Sequence, residues 1–137
     1  MIEFFMAMDP PTVTAQEHKV MFRDGKPIFY DPPELKAARV KLMGYLARYK
    51  PRDPFTGGVE LLVTWCFKAK SGTRPGTYRI TKPDTDNLQK LLKDCMTRTK
   101  FWKDDALVCR EIVEKYWSDV PGIFIRITPI KERKTHG

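Results

Sequence analysis

A chain of 137 residues that is 42% hydrophobic and 31% charged carries enough apolar material for one core, which excludes wholesale disorder and leaves little room for a second domain. Lys and Arg number 25 against 17 Asp and Glu, and this formal charge of +8 points to a polyanionic partner, nucleic acid before an acidic membrane surface. Three widely spaced cysteines without a C-x-x-C, and only two histidines, His18 and His136, argue against a disulfide framework, a zinc finger and histidine-based catalysis.

Ile2 to Met8 is short and apolar and stops at Pro10-Pro11, as an edge strand does. Val20-Met21-Phe22 and Pro27-Ile28-Phe29 flank Asp24-Gly25, a hairpin signature. Pro32-Pro33 opens a helix from about Glu34 to Tyr49, with Leu35, Ala38, Leu42, Tyr45 and Leu46 near helical period. After Pro51, Pro54 and Gly57-Gly58, the alternation of Val59, Leu61, Val63, Trp65 and Phe67 predicts a strand. Residues 68 to 82 contain Gly72, Pro75 and Gly76 and read as a loop. A second helix runs from about Asp84 to Arg98, its stripe made by Leu88, Leu91, Leu92, Cys95 and Met96. Leu107 to Trp117 and Ile123 to Ile127 read as strands joined at Pro121-Gly122, with a hairpin expected between them. The expected fold is α+β: a mixed, largely antiparallel sheet packed by two main helices. It forms one domain over residues 1–130, followed by a basic tail, 131–137. No apolar run reaches membrane-spanning length and Met1 to Met8 lacks a basic leader, so a soluble cytoplasmic protein without a membrane partner is expected.

The chemistry concentrates in one stretch. Asp84, Asp86, Asp94, Asp104 and Asp105 fall within 22 residues of an otherwise basic chain. Asp84 and Asp86 stand at a helix start, where one carboxylate caps exposed N–H groups; a second is in excess of that need. At about 100° per residue, Asp86 and Lys90 lie roughly 40° apart, opposite the apolar stripe. Two readings stay open for each feature. The acids are metal ligands, or they are a cap and a solvated turn. Lys90 serves a phosphate, or it pairs with Asp86 as an ordinary i, i+4 neighbour. Carboxylate-only ligands suit Mg²⁺, with Mn²⁺ as a substitute, and such ions drive phosphodiester hydrolysis. Lys68, Lys70, Arg74, Arg79 and Lys82 precede the acids with no acid among them, and cations there would hold a DNA backbone.

The run Lys82-Pro83-Asp84-Thr85-Asp86-Asn87-Leu88-Gln89-Lys90, with Asp94 further along the helix and Trp102-Lys103-Asp104-Asp105 beyond it, resembles the RusA-type Holliday junction resolvases. These crossover junction endodeoxyribonucleases are common in phages and prophages. Their pattern, D-x-D-N-x-x-K, a helix, then a D-D pair, is met at Asp84, Asp86, Asn87, Lys90, Asp104 and Asp105. The resemblance implies Mg²⁺ bound by Asp84, Asp86 and Asp105, and a catalytic Lys90. Asp104 becomes an auxiliary ligand or turn residue, with Asp94 and Asn87 also auxiliary. It further implies a homodimer that makes paired symmetric nicks in four-way DNA during recombination and repair, with no small-molecule cofactor. The chain departs from the family after the first strand, where Thr12 to Gln16 bring no cation; Lys19 and Arg23 are the next available. The rival from another class is a non-catalytic DNA-binding protein whose aspartates only cap and turn.

Overall fold

The computed structural model describes residues 1–14 and 19–131. His18, His136 and all of the expected basic tail beyond Lys131 lie outside the described residues. Among the described residues, six strands and two α-helices follow in the order β1 (Ile2–Met6), β2 (Lys19–Arg23), β3 (Lys26–Tyr30), α1 (Pro33–Leu46), β4 (Val59–Lys68), α2 (Thr85–Arg98), β5 (Val108–Ser118) and β6 (Gly122–Pro129). A 3₁₀ turn, Asp105–Leu107, leads into β5. The sheet has the order β1-β6-β4-β5, antiparallel except for the β4–β5 pair, and β2–β3 form a separate hairpin. The α+β class is as expected, and β1 is an edge strand.

The hairpin expected between the last two strands is not formed. β4 lies between β5 and β6 and bonds to both, running parallel to β5 over Val59–Lys68 and antiparallel to β6 over Val59–Cys66. Its inward residues Val59, Leu61, Val63, Trp65 and Phe67 are all buried, and its outward ones are half-buried except Lys68. A strand with that much apolar surface gains most at the sheet centre, where neighbours cover both edges. The chain leaving β5 therefore crosses the end of β4. Ala69 N–H bonds to Ser118 O at 2.9 Å and Lys68 Nζ donates to Asp119 O at 2.6 Å.

Both helices contribute to one core beneath this sheet. α1 buries Leu35, Leu42 and Leu46; α2 buries Leu88, Leu91, Leu92, Cys95 and Met96 against Trp65, Ile123, Ile125 and Ile127. Fully burying a large apolar side chain stabilises by roughly 1.5–3 kcal/mol, so these contacts dominate the fold's stability. Burial pushes the Cys95 thiol up to about 12, so it behaves as a small hydrophobe. Trp65, Trp117 and Phe4 belong to this core and offer no contact surface for a second molecule. The β2–β3 hairpin is the reverse case, with Val20, Met21, Phe22 and Phe29 exposed.

Gly122 opens β6 under the ring of Phe5. A Cβ at Gly122 would meet Phe5 and lie 2.6 Å from Met6 O, closer than atoms can pack. Gly122→Ala is therefore expected to lower stability by about 2 kcal/mol or more through overpacking, measured as a shift in the urea midpoint. An unchanged midpoint would mean that β1 slides freely over β6.

Candidate active site

α2 sets the site because its rotation is fixed from below. Its apolar stripe is buried, and Gln89, only 3% exposed, adds directional bonds. Trp65 Nε1 donates to Gln89 Oε1 at 2.7 Å, and Gln89 Nε2 donates to a Glu111 carboxylate oxygen at 2.7 Å. Lys93 completes the row with a 3.1 Å ion pair to Glu111. This polar chain runs from buried Trp65 and Gln89 out to Glu111 and Lys93 at the surface, and satisfying the buried Gln89 amide makes it a register pin. Asn87 also faces the packed side, 4% exposed, so it does not stand beside its exposed motif neighbours.

With those side chains inward, Asp86 and Lys90 turn outward together. Asp84 is the residue preceding α2, extended at φ −73° and ψ 148°, yet its carboxylate makes no capping bond. Its backbone carbonyl instead accepts from Leu88 N–H at 3.1 Å. Among the described residues, neither the Asp84 nor the Asp86 carboxylate enters a hydrogen bond or a salt bridge, and Lys90 forms no salt bridge. The capping reading of Asp84 and the ion-pair reading of Lys90 are thus not realised. Asp86, Lys90, Thr85, Gln89, Lys93, Glu111 and Val113 line a shallow groove of about 240 Å³ between α2 and β5. The positive end of the helix dipole lies at the acidic mouth of this groove and favours negative charge there.

The stretch expected as a loop is one, and its residues 76 to 79 bond to the outer edge of β5. Gly76 N–H bonds to Trp117 O, Trp117 N–H to Thr77 O and Arg79 N–H to Lys115 O, at 2.8, 2.8 and 3.0 Å. Tyr78 stacks on Tyr116 with centroids 4.6 Å apart, and both phenols donate to Glu114. Arg79 is not a free cation. Its guanidinium lies 4.3 Å from the Phe67 centroid and 4.6 Å from that of Trp117, and burial lowers its pKa. Lys70 sits over the other reach of Trp117 at 5.4 Å, and Lys68 is committed to Asp119 O. Arg74 and Lys82 project from exposed positions.

The expected third ligand lies elsewhere in the chain. Phe101 and Trp102, both fully buried, anchor the chain directly after α2, and Trp102 Nε1 donates to Thr97 Oγ1 at 2.8 Å. That anchoring stops Asp104 and Asp105 from folding back along the helix. Pro83 O is bonded to Lys115, whereas Asp105 precedes Val108, seven residues back along the same strand. At roughly 3.3 Å per residue the two ends lie more than about 20 Å apart. Accordingly, no three His, Cys, Asp or Glu side chains gather into a cation-binding group among the described residues. Asp104 is a turn residue, accepting from Ala106 N–H at 2.8 Å. Asp94 ties the helices together, 3.4 Å from Arg39 and 3.2 Å from Arg98, a third of the way from the end of α2 and away from Asp86.

Three residues near Asp84 and Asp86 escaped the sequence reading: Gln89, Glu111 and Lys115. A polar residue beside Leu88 on the apolar side of α2 was one available signal. The alternation of Glu111, Val113, Lys115 and Trp117, all on the sheet face that Trp65 shares, was another. Lys115 Nζ donates to Thr81 O and to Pro83 O, each at 2.7 Å. Its pKa is lowered by burial first and by neighbouring Arg79 second, against the opposing pull of Asp84.

The family model described as endodeoxyribonuclease RusA matches residues 10–128. A crossover junction endodeoxyribonuclease rusA of Lactococcus phage r1t is 29% identical over 130 residues, covering 93% of this chain and 98% of the phage protein. An uncharacterized protein, YqaN of Bacillus subtilis (strain 168), is 28% identical over 119 residues, covering 79% of this chain and 83% of its own length. With a sheet-backed helix presenting Asp84, Asp86 and Lys90 inside a match spanning most of its length, the chain belongs to the RusA endodeoxyribonuclease family.

Proposed function

We propose that the protein is a homodimeric, Mg²⁺-dependent endonuclease that resolves four-way DNA junctions by paired, symmetric nicks. The observation that carries this reading is the pair of carboxylates Asp84 and Asp86, exposed at the start of α2 beside Lys90, none of the three in a salt bridge among the described residues. Membership in a nuclease family and the junction-cleaving phage relative support the substrate.

The donor chemistry fits a hard divalent cation. Mg²⁺ is commonly held by one or two carboxylates together with substrate phosphates, and free oxygens on Asp84 and Asp86 supply such a pair. Asp105 of the same chain is out of reach, so a set that includes it needs a second copy. The exposed apolar hairpin β2–β3 supports self-association, since an isolated two-stranded hairpin is marginal in water. When bound, the cation would supply an activated water and neutralise charge at the leaving oxygen. The chain's own work is binding and placement. Arg74, Lys70 and Lys82 hold the DNA backbone, and Lys90 meets the phosphate where transition-state charge gathers.

The test is a nicking assay on a synthetic four-way junction and on the matching linear duplex. Paired nicks in the junction with Mg²⁺ or Mn²⁺, abolished by chelator, are the expected result. Tight junction binding without any cleavage in either metal would overturn it in favour of a non-catalytic DNA-binding protein.

A further inference from the structure

We propose that Lys115, with Arg79 beside it, is the positioning residue that aims Asp84 into the site. This rests on the reading above, in which Asp84 acts in cleavage. Asp84 follows three residues, Thr81, Lys82 and Pro83, that belong to neither helix nor strand. Such a segment has no ladder of its own to fix the direction in which its last residue points. Here two cations on the sheet side supply the missing bonds. Lys115 Nζ donates to Thr81 O and Pro83 O at 2.7 Å each, and Arg79 Nη2 donates to Lys82 O at 2.5 Å. Three successive carbonyls are captured directly ahead of Asp84. Arg79 Nε also donates to Thr81 Oγ1 at 3.2 Å.

The holders are themselves held. Arg79 is clamped over Phe67 and Trp117, and its N–H bonds to Lys115 O, so the two cations share one piece of backbone. Lys115 lies within β5, paired with Trp65 of β4, the residue whose indole pins α2 through Gln89. The carboxylate of Asp84 and the helix bearing Asp86 and Lys90 are therefore registered to one point of the sheet. The ammonium makes its bonds to backbone carbonyls and leaves the Asp84 carboxylate free, which is what a positioning group must do. A cleavage site requires its groups held to about half an ångström, so loosening this turn reduces rate before it reduces fold or affinity.

The experiment compares Lys115→Met, Lys115→Arg and Asp84→Asn in full-length protein with Mg²⁺ and a four-way junction. Lys115→Met should lower the single-turnover rate at saturating protein at least tenfold while junction affinity stays within twofold. Lys115→Arg keeps two donors and should return the rate to within threefold of the parent. Hydrogen exchange supplies a readout independent of cleavage. The Leu88 amide, bonded to Asp84 O, should exchange about tenfold faster in Lys115→Met, with β4 and β6 unchanged. Parent-like cleavage by Lys115→Met beside an inactive Asp84→Asn overturns the inference alone. Parent-like cleavage by Asp84→Asn instead overturns the functional reading beneath it. If Lys115→Met does not fold, Lys115→Arg decides the matter, and a loss beyond tenfold in that variant rejects the role.

Discussion

Asp86→Asn protein and Asp105→Asn protein, each inactive alone, should regain junction nicking when they are mixed. Asp86 stands at the start of α2, and Asp105 lies beyond its end, held there by buried Phe101 and Trp102. If one site draws Asp84 and Asp86 from one protomer and Asp105 from its partner, a two-fold dimer has two composite sites. In a mixed dimer both substitutions fall into the same site, and the other site keeps all three carboxylates. Random exchange in an equal mixture makes half of the dimers mixed, each with one intact site, so about a quarter of parental nicking should return, as single rather than paired nicks. Each variant alone should lose cleavage by at least about 100-fold, because each removes a full negative charge from the place that must hold a cation. A mixture as inactive as its components would place Asp105 in no shared site. An active Asp105→Asn would remove that residue from the chemistry.

Lys90→Ala should lower the saturated cleavage rate by about 100-fold, the scale set by removing one donor aimed at transition-state charge, with little change in junction affinity. Lys90 shares the groove with Asp86 and forms no salt bridge with a described residue. Its charge is therefore available to a phosphate and is not spent on an internal pair. Arg74→Ala makes the contrast. Its exposed side chain should contribute to affinity through counterion release, so its loss should weaken binding and flatten the salt dependence at an unchanged saturated rate. Measuring rate and affinity for both variants separates the roles, and normal cleavage by bound Lys90→Ala would exclude it from the site. Arg79 does not belong in this comparison, because its half-buried guanidinium is engaged within the fold, over the rings of Phe67 and Trp117 and on Lys82 O.

What could be read in the sequence was what depends on near neighbours. The stripe of Leu88, Leu91, Leu92, Cys95 and Met96 determined both the helix and which side it buries, so Asp86 and Lys90 had to share the other side. The alternation from Val59 to Phe67 likewise determined a strand and its inward face. The D-x-D-N-x-x-K run is local too, which is why it suffices to indicate the family. Only the tertiary structure decided the rest. That β4 separates β5 from β6 follows from competition among strands for the sheet centre, a non-local choice that no short window contains. The same choice, with the burial of Phe101 and Trp102, sends Asp105 to the far end of α2, although it stands only 19 residues after Asp86. Arg79 and Lys115 read as two more cations in a basic chain. Their hydrogen bonds to Thr81, Lys82 and Pro83 exist because β5 passes beneath that turn, and separations of up to 34 residues close only once the sheet has formed.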